Sequence, residues 1–197
     1  MLVGLSVIAL SCKKDDPDSL LEDRFGSMTM KIDGAPWSAK MAFVVTASEE
    51  EEEIYAVAIS GFASEEEADD GDGLTIWMGI PADKFDNPKG TYDVIALDND
   101  PEGRILVSAM FSKALGLETH QVYTVTEANT SFGRITITDF EIGRQTFLGQ
   151  VIGDKAYTRL KGTFEMNLTE LKLDGSGFGG NMAITEGKFD VKNQLNF

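Results

Sequence analysis

Cysteine is nearly missing from this chain of 197 residues, where Cys12 stands alone. A single thiol excludes an intramolecular disulfide and a cysteine-rich zinc site. Histidine is as scarce, so a Ser-His-Asp arrangement would have to be built on His120. No apolar run reaches the ~20 residues that a membrane-spanning helix needs. Basic residues are in deficit: 17 Lys and Arg stand against 33 Asp and Glu, for a net charge of −16. Nucleic-acid binding requires a basic face to neutralise phosphates and is disfavoured, and an anionic bilayer surface would repel the acidic region. Helical periodicity is lacking too, with no convincing stretch of ten or more residues.

What is present is a globular composition, 42% hydrophobic, with its acidity concentrated in one place. From Glu49 to Asp72 there are eleven acidic residues and no Lys or Arg, so the remainder of the −16 chain carries only −5. The clusters Glu49–Glu53 and Glu65–Asp72 flank one apolar run, Ile54 to Phe62, and read as solvated loops or edges.

Short alternating runs separated by Gly, Asp or Pro fill the rest. Met28 to Asp33 alternates, Asp33-Gly34 makes a turn, and the next run, Trp37 to Ala47, is β-rich at its end (Phe43 to Thr46). Leu74 to Ile80 puts Leu74, Ile76, Met78 and Ile80 on one face and Thr75, Trp77 and Gly79 on the other. Further strands are expected at 90–97, 104–112, 121–126, 133–140, 157–168 and 187–191, with D-G-S-G-F-G-G (174–180) as a glycine-rich loop. Asp139 and Glu141 read as charges at a strand end that discourage edge pairing. The fold class expected is all-β, an antiparallel sandwich or barrel of about ten strands in a single domain.

The N-terminus carries an address. Residues 2–10 (L-V-G-L-S-V-I-A-L) have the length of a signal-peptide apolar region, and Ala9, Leu10 and Ser11 lead into Cys12. This resembles the lipobox of bacterial lipoproteins, with Ala9 where Leu is usual and no basic region ahead, so the start codon is expected to lie upstream. Lys14, Asp15 and Asp16, the Lys-acid-acid run after Cys12, resemble the surface-export signal of Bacteroidetes lipoproteins, and Asp18-Ser19-Leu20 resembles an O-glycan acceptor at Ser19. The plainer readings are a free thiol for Cys12 and a solvated linker for the charges. Expected boundaries are a signal peptide over 1–11, a lipidated tether over 12–26 and the β domain over 27–197.

The stretches M-K-I-D-G-A-P-W (30–37), G-T-Y (90–92), G-R-I-T-I-T (133–138), L-K-G-T-F-E (160–165) and I-T-E-G-K-F-D-V (184–191) resemble a group of Bacteroidetes surface lipoproteins known as a domain of unknown function. The resemblance covers roughly residues 27–192. It implies a single β-rich domain anchored by lipid to the outer membrane, on the cell surface or on the periplasmic face. It implies no catalytic group.

Candidates for chemistry are few. D-N-D-P-E-G resembles the first half of an EF-hand loop, with Asp98, Asp100 and Glu102 at positions 1, 3 and 5, but Ala109 stands where the bidentate Glu belongs. The readings are a calcium site, to which Asp70 and Asp72 could add ligands, or an Asx-rich turn; no other cofactor is expected. Trp37 reads as a core plug. Trp77, flanked on its face by Thr75 and Gly79, reads either as a platform for stacking on a sugar ring or as a residue covered by a loop or second sheet. The expected function is a non-enzymatic surface module that binds a glycan or an envelope protein; the alternatives are a carboxylate-dependent hydrolase and a purely structural domain.

Overall fold

The computed structural model describes residues 26–49, 54–63, 71–96, 105–116, 119–125, 133–147 and 150–193. Eleven strands run β1 (Ser27–Ile32), β2 (Ala35–Ser38), β3 (Met41–Glu49), β4 (Ile54–Phe62), β5 (Gly73–Pro81), β6 (Gly90–Asp93), β7 (Leu106–Gly116), β8 (Thr119–Thr124), β9 (Gly133–Phe147), β10 (Gln150–Lys172) and β11 (Gly177–Asn193). All belong to one sheet of order β2-β1-β11-β3-β4-β5-β7-β8-β10-β9-β6, and β10 also pairs with β11. That extra pairing closes seven strands into a barrel. A path leaving β11 at Asn181 passes through Thr169, Thr124, Met110, Thr75, Ser60 and Phe43 and meets β11 again at Lys192. The offset between departure and return is the stagger that closure requires. Among the described residues no helix is long and apolar enough to cross a membrane.

The all-β class is therefore as expected, with one departure from strict antiparallel order: β11 joins β3 in parallel at Lys192↔Phe43 and Asn193↔Val44. β10 and β11 are long because bulges let them bend and serve three neighbours each. The N-terminal part of β10 pairs with β9, its last turn of pairing is with β8, and β11 takes β1 and then β3 on its other edge.

The alternation seen in the sequence fixes the inside. Leu74, Ile76, Met78 and Ile80 of β5 are all buried, together with Val57 and Ile59 of β4, Val107, Ala109 and Phe111 of β7, and Phe164, Met166 and Leu168 of β10. One end is closed by the segment after β5, where a 3-10 turn (Ala82–Lys84) delivers Phe85, wholly buried, between Tyr55 and Tyr157 with ring centroids 4.0 and 4.3 Å away. The other end is covered by the β1–β2 hairpin. Met28 and Met30 are buried there, and Trp37 meets the Phe111 ring edge-on at 6.3 Å.

Three local expectations change. Trp37 to Ala47 is not one strand: β2 and β3 are separate, with the chain turning at Ala39 and Lys40. The glycine-rich 174–180 segment is a loop only as far as Ser176; β11 starts at Gly177, because Phe178 pairs with Leu171. Asp139 and Glu141 lie within β9, where Lys89 reaches Asp139 at 3.2 Å and Arg159 reaches Glu141 at 3.4 Å, so they are ion-pair partners on the sheet surface rather than strand-end charges.

Candidate functional site

Because Leu74, Ile76, Met78 and Ile80 fill the barrel, β5 must turn Thr75, Trp77 and Gly79 outward. Register then sets their neighbours. Trp77 lies between Ala58 of β4 and Ser108 of β7, Thr75 between Ser60 and Met110, and Gly79 between Ala56 and Leu106. None of these nine side chains is charged, in a chain that is 25% charged. Trp77 is 37% exposed, as is Ile54, which is paired with Pro81 and lies beside Gly79. The hydroxyls of Ser60 and Thr75 lie 3.2 Å apart on one side of the indole. On the other side Gly79 carries no side chain, and a Cβ built there would be in ordinary van der Waals contact with Leu106 Cβ at 3.6 Å and Ile54 Cγ2 at 3.8 Å.

The opposite outer face has another character. Thr91, Thr136, Thr163, Lys188, Thr29 and Ser38 form one cross-strand row over β6, β9, β10, β11, β1 and β2. Beside it run ion pairs. Arg159 grips Asp190 with Nε at 2.7 Å and Nη2 at 2.6 Å, and Lys161 approaches the same carboxylate at 3.6 Å. Arg159 holds the Asp190 carboxyl below the usual carboxylate range, against the opposing effect of its partial burial. A cleft of about 500 Å³ opens over this face at Thr29, Ser38 and Lys188, with Lys31 and Glu186 paired at 2.7 Å along its side.

Of the residues singled out in the sequence, Trp77 is brought to a solvent-facing position with small neutral neighbours. Cys12, Lys14, Asp15, Asp16 and Ser19 lie outside the described residues, as do Asp98, Asp100 and Glu102. Ile95 N–H donates to the Val107 carbonyl at 2.8 Å, beside a cleft of about 460 Å³ lined by Lys84, Asn87, Thr91, Tyr92 and Asp93. Asp72 is engaged elsewhere, accepting a hydrogen bond from Ala114 N–H at 3.0 Å. Among the described residues there is no group of three or more His, Cys, Asp and Glu that could hold a metal ion. His120 sits on β8 with Nδ1 3.1 Å from Ser112 Oγ of the adjacent strand. Trp37 does plug the barrel end, and its indole N–H is buried with no acceptor among the described residues.

One cluster escapes a reading based on residue type. Glu170 continues the inward parity of Met166 and Leu168, so this acid points into the barrel mouth and is only 9% exposed. Its Oε1 accepts hydrogen bonds from Lys172 Nζ at 2.6 Å and Gln121 Nε2 at 3.3 Å, and Oε2 accepts from Gly180 N–H at 3.3 Å. Lys172 first, and Gly180 after it, hold the Glu170 carboxyl below its ordinary range although burial opposes this. Tyr123, directly across from Glu170, donates to Gln121 Oε1 at 3.3 Å, and burial together with the Glu170 charge pushes its phenol up. The cluster satisfies itself internally and fastens β8, β10 and β11 at the mouth. The signal was the period-2 parity, which outranks the polarity of a single residue.

No protein-family model, curated protein or solved structure matches the chain.

Proposed function

We propose that the chain is a non-enzymatic cell-envelope lipoprotein, tethered through Cys12, whose β domain binds a glycan at Trp77. The observation that carries this reading is an exposed indole whose cross-strand neighbours are uncharged, with paired hydroxyls on one side and a glycine without side chain on the other. An aromatic plane stacks on the apolar face of a pyranose ring, and small neighbours let the ring approach. Neutral surroundings favour a neutral sugar, since charged neighbours would keep their own water. The test is a glycan array with the wild-type chain and Trp77→Ala: retained fold with lost signal supports the platform, and an array without wild-type hits removes it.

An envelope protein as partner is favoured by a different observation. At the β10–β11 hairpin Leu171, Leu173 and Phe178 are 38%, 70% and 48% exposed, with Leu171 and Phe178 directly paired. Exposed apolar residues gathered in one place mark protein interaction sites. Crosslinking on intact cells with wild type and Leu173→Ser/Phe178→Ser separates this surface from the Trp77 face. Anchoring at the outer membrane is checked by fatty-acid labelling, which Cys12→Ala should abolish. For calcium at Asp98, Asp100 and Glu102, a higher thermal midpoint with calcium than with chelator is expected, because a ligand of the native state stabilises it.

A further inference from the structure

On the outer face of β1, β2 and β11, the cleft of about 500 Å³ holds a cation that nothing in the chain neutralises. Lys188 lines it, exposed, with no partner for its ammonium among the described residues. The carboxylates two positions away on the same strand are already taken: Glu186 by Lys31 at 2.7 Å, and Asp190 by Arg159 at 2.6 Å with Lys161 at 3.6 Å. Across the strands the neighbours are hydroxyls instead. Lys188 is paired with Thr163 on β10 and with Thr29 on β1, and Ser38 of β2 follows Thr29 in the same row. All three are exposed, and Thr29 and Ser38 line the cleft together with Lys188. Neighbouring strands lie about 4.8 Å apart, so the row from Lys188 to Ser38 spans roughly 10 Å.

We infer that this cleft binds a tetrahedral oxyanion, a phosphate or sulfate group, held by the Lys188 ammonium while the Thr29 and Ser38 hydroxyls donate to its oxygens. The site is separate from the Trp77 face and does not depend on what binds there. A lysine is a compact point charge suited to phosphate, whereas a planar carboxylate is matched by an arginine fork, the grip that Arg159 makes on Asp190. Hydroxyls from two further strands add single donors that rotate independently, which a group with oxygens on several sides uses together. Glu186 would repel an anion if it stood alone. The Lys31 bridge neutralises it, so Lys188 is left as the uncompensated charge among the lining residues.

The test titrates the full chain with inorganic phosphate, inorganic sulfate, glucose 6-phosphate and uncharged glucose at constant ionic strength, following the backbone amides of Thr29, Ser38 and Lys188 by NMR. Saturable shifts at these amides with the anions, and none with glucose, are expected. Tighter binding of glucose 6-phosphate than of inorganic phosphate assigns the site to an esterified group, and equal binding assigns it to the free ion. Lys188→Gln should weaken binding about tenfold or more, the loss of one charge-assisted hydrogen bond. Its thermal midpoint should match wild type, because the side chain it replaces is exposed and unpaired among the described residues. Lys113→Gln, which makes the same charge change on the exposed side of β7, should bind as wild type. Shifts that never saturate, or a Lys188→Gln variant with wild-type affinity, would overturn the site. Equal losses in Lys188→Gln and Lys113→Gln would overturn it too, since net charge alone would then explain the binding.

Discussion

Phe164 and Phe189 face each other diagonally across β10 and β11, each ring seated on the other strand's glycine. Gly162 pairs with Phe189 and Gly187 with Phe164, with Thr163 opposite Lys188 between them and ring centroids 6.3 Å apart. A Cβ at Gly162 would collide with the Thr136 carbonyl oxygen and stand 2.6 Å from Phe189 Cζ; one at Gly187 would stand 2.6 Å from Phe164 Cδ2. The two Gly-x-Phe triplets are thus halves of one packing unit, aromatic cover compensating for glycine in a strand.

Gly162→Ala should therefore destabilise the domain by about 3 kcal/mol or more, since backbone and ring must both move. Gly180, on the neighbouring β11 with open space where its Cβ would stand, is the control, and Gly180→Ala should stay within about 0.5 kcal/mol of wild type. Urea unfolding of the two variants decides this, and equal midpoints would contradict it.

Tyr157 donates its hydroxyl to the Phe85 carbonyl at 2.6 Å in a fully buried setting. Tyr157→Phe keeps the ring stack and strands that carbonyl, a loss of about 1–3 kcal/mol. Burial, reinforced by the nearby Tyr92 and Asp86, pushes this phenol well above its ordinary value. The unfolded chain releases the proton near pH 10 while the native state keeps it, so stability from this group is whole below about pH 10 and falls as pH rises beyond it. Denaturation measured from pH 8 to 11 should show that decline in wild type and a smaller one in Tyr157→Phe.

The Arg159–Asp190 pair gives the opposite limb. Asp190 ionises more readily in the native state, so its contribution is complete above about pH 4 and disappears as pH falls through its lowered value. Asp190→Asn is expected to cost about 1 kcal/mol at neutral pH, the partial exposure of the pair keeping the figure small. Its stability should then vary less between pH 5 and 2 than that of wild type. An unchanged acid limb would contradict this assignment.

Gly79→Ala should raise stability by about 0.4–1 kcal/mol, because alanine narrows the unfolded ensemble without strain in the strand. Thermal unfolding of the variant checks this, and a lowered midpoint would contradict it.

Much of this fold could be read from alternation alone. Leu74, Ile76, Met78 and Ile80 announce both β5 and its inner face, and Thr75, Trp77 and Gly79 the outer one. Parity does not say what lies beyond a face, so the exposure of Trp77 needed the register of β4 and β7 on either side. The start of β11 was hidden because glycine signals a turn locally, whereas Gly179 sits close against the Glu170 carboxylate and Phe178 pairs with Leu171. Glu170 was hidden for a related reason: a carboxylate reads as solvent-facing until Lys172, Gln121 and Gly180 are placed around it. Closure through β10–β11 is a long-range property, and bulges that let one strand serve two partners have no strong sequence signature.

β1 lies against β11, and the Lys31–Glu186 bridge joins positions 155 residues apart. The first of the described strands to leave the ribosome must therefore wait for the last. Met28 and Met30 have no β11 to lie beside until nearly the whole domain has emerged, which favours late, slow folding governed by non-local pairing. Until β11 is made, β1 is the segment most exposed to mispairing, and a chaperone that shields it in the interval would guard the fold.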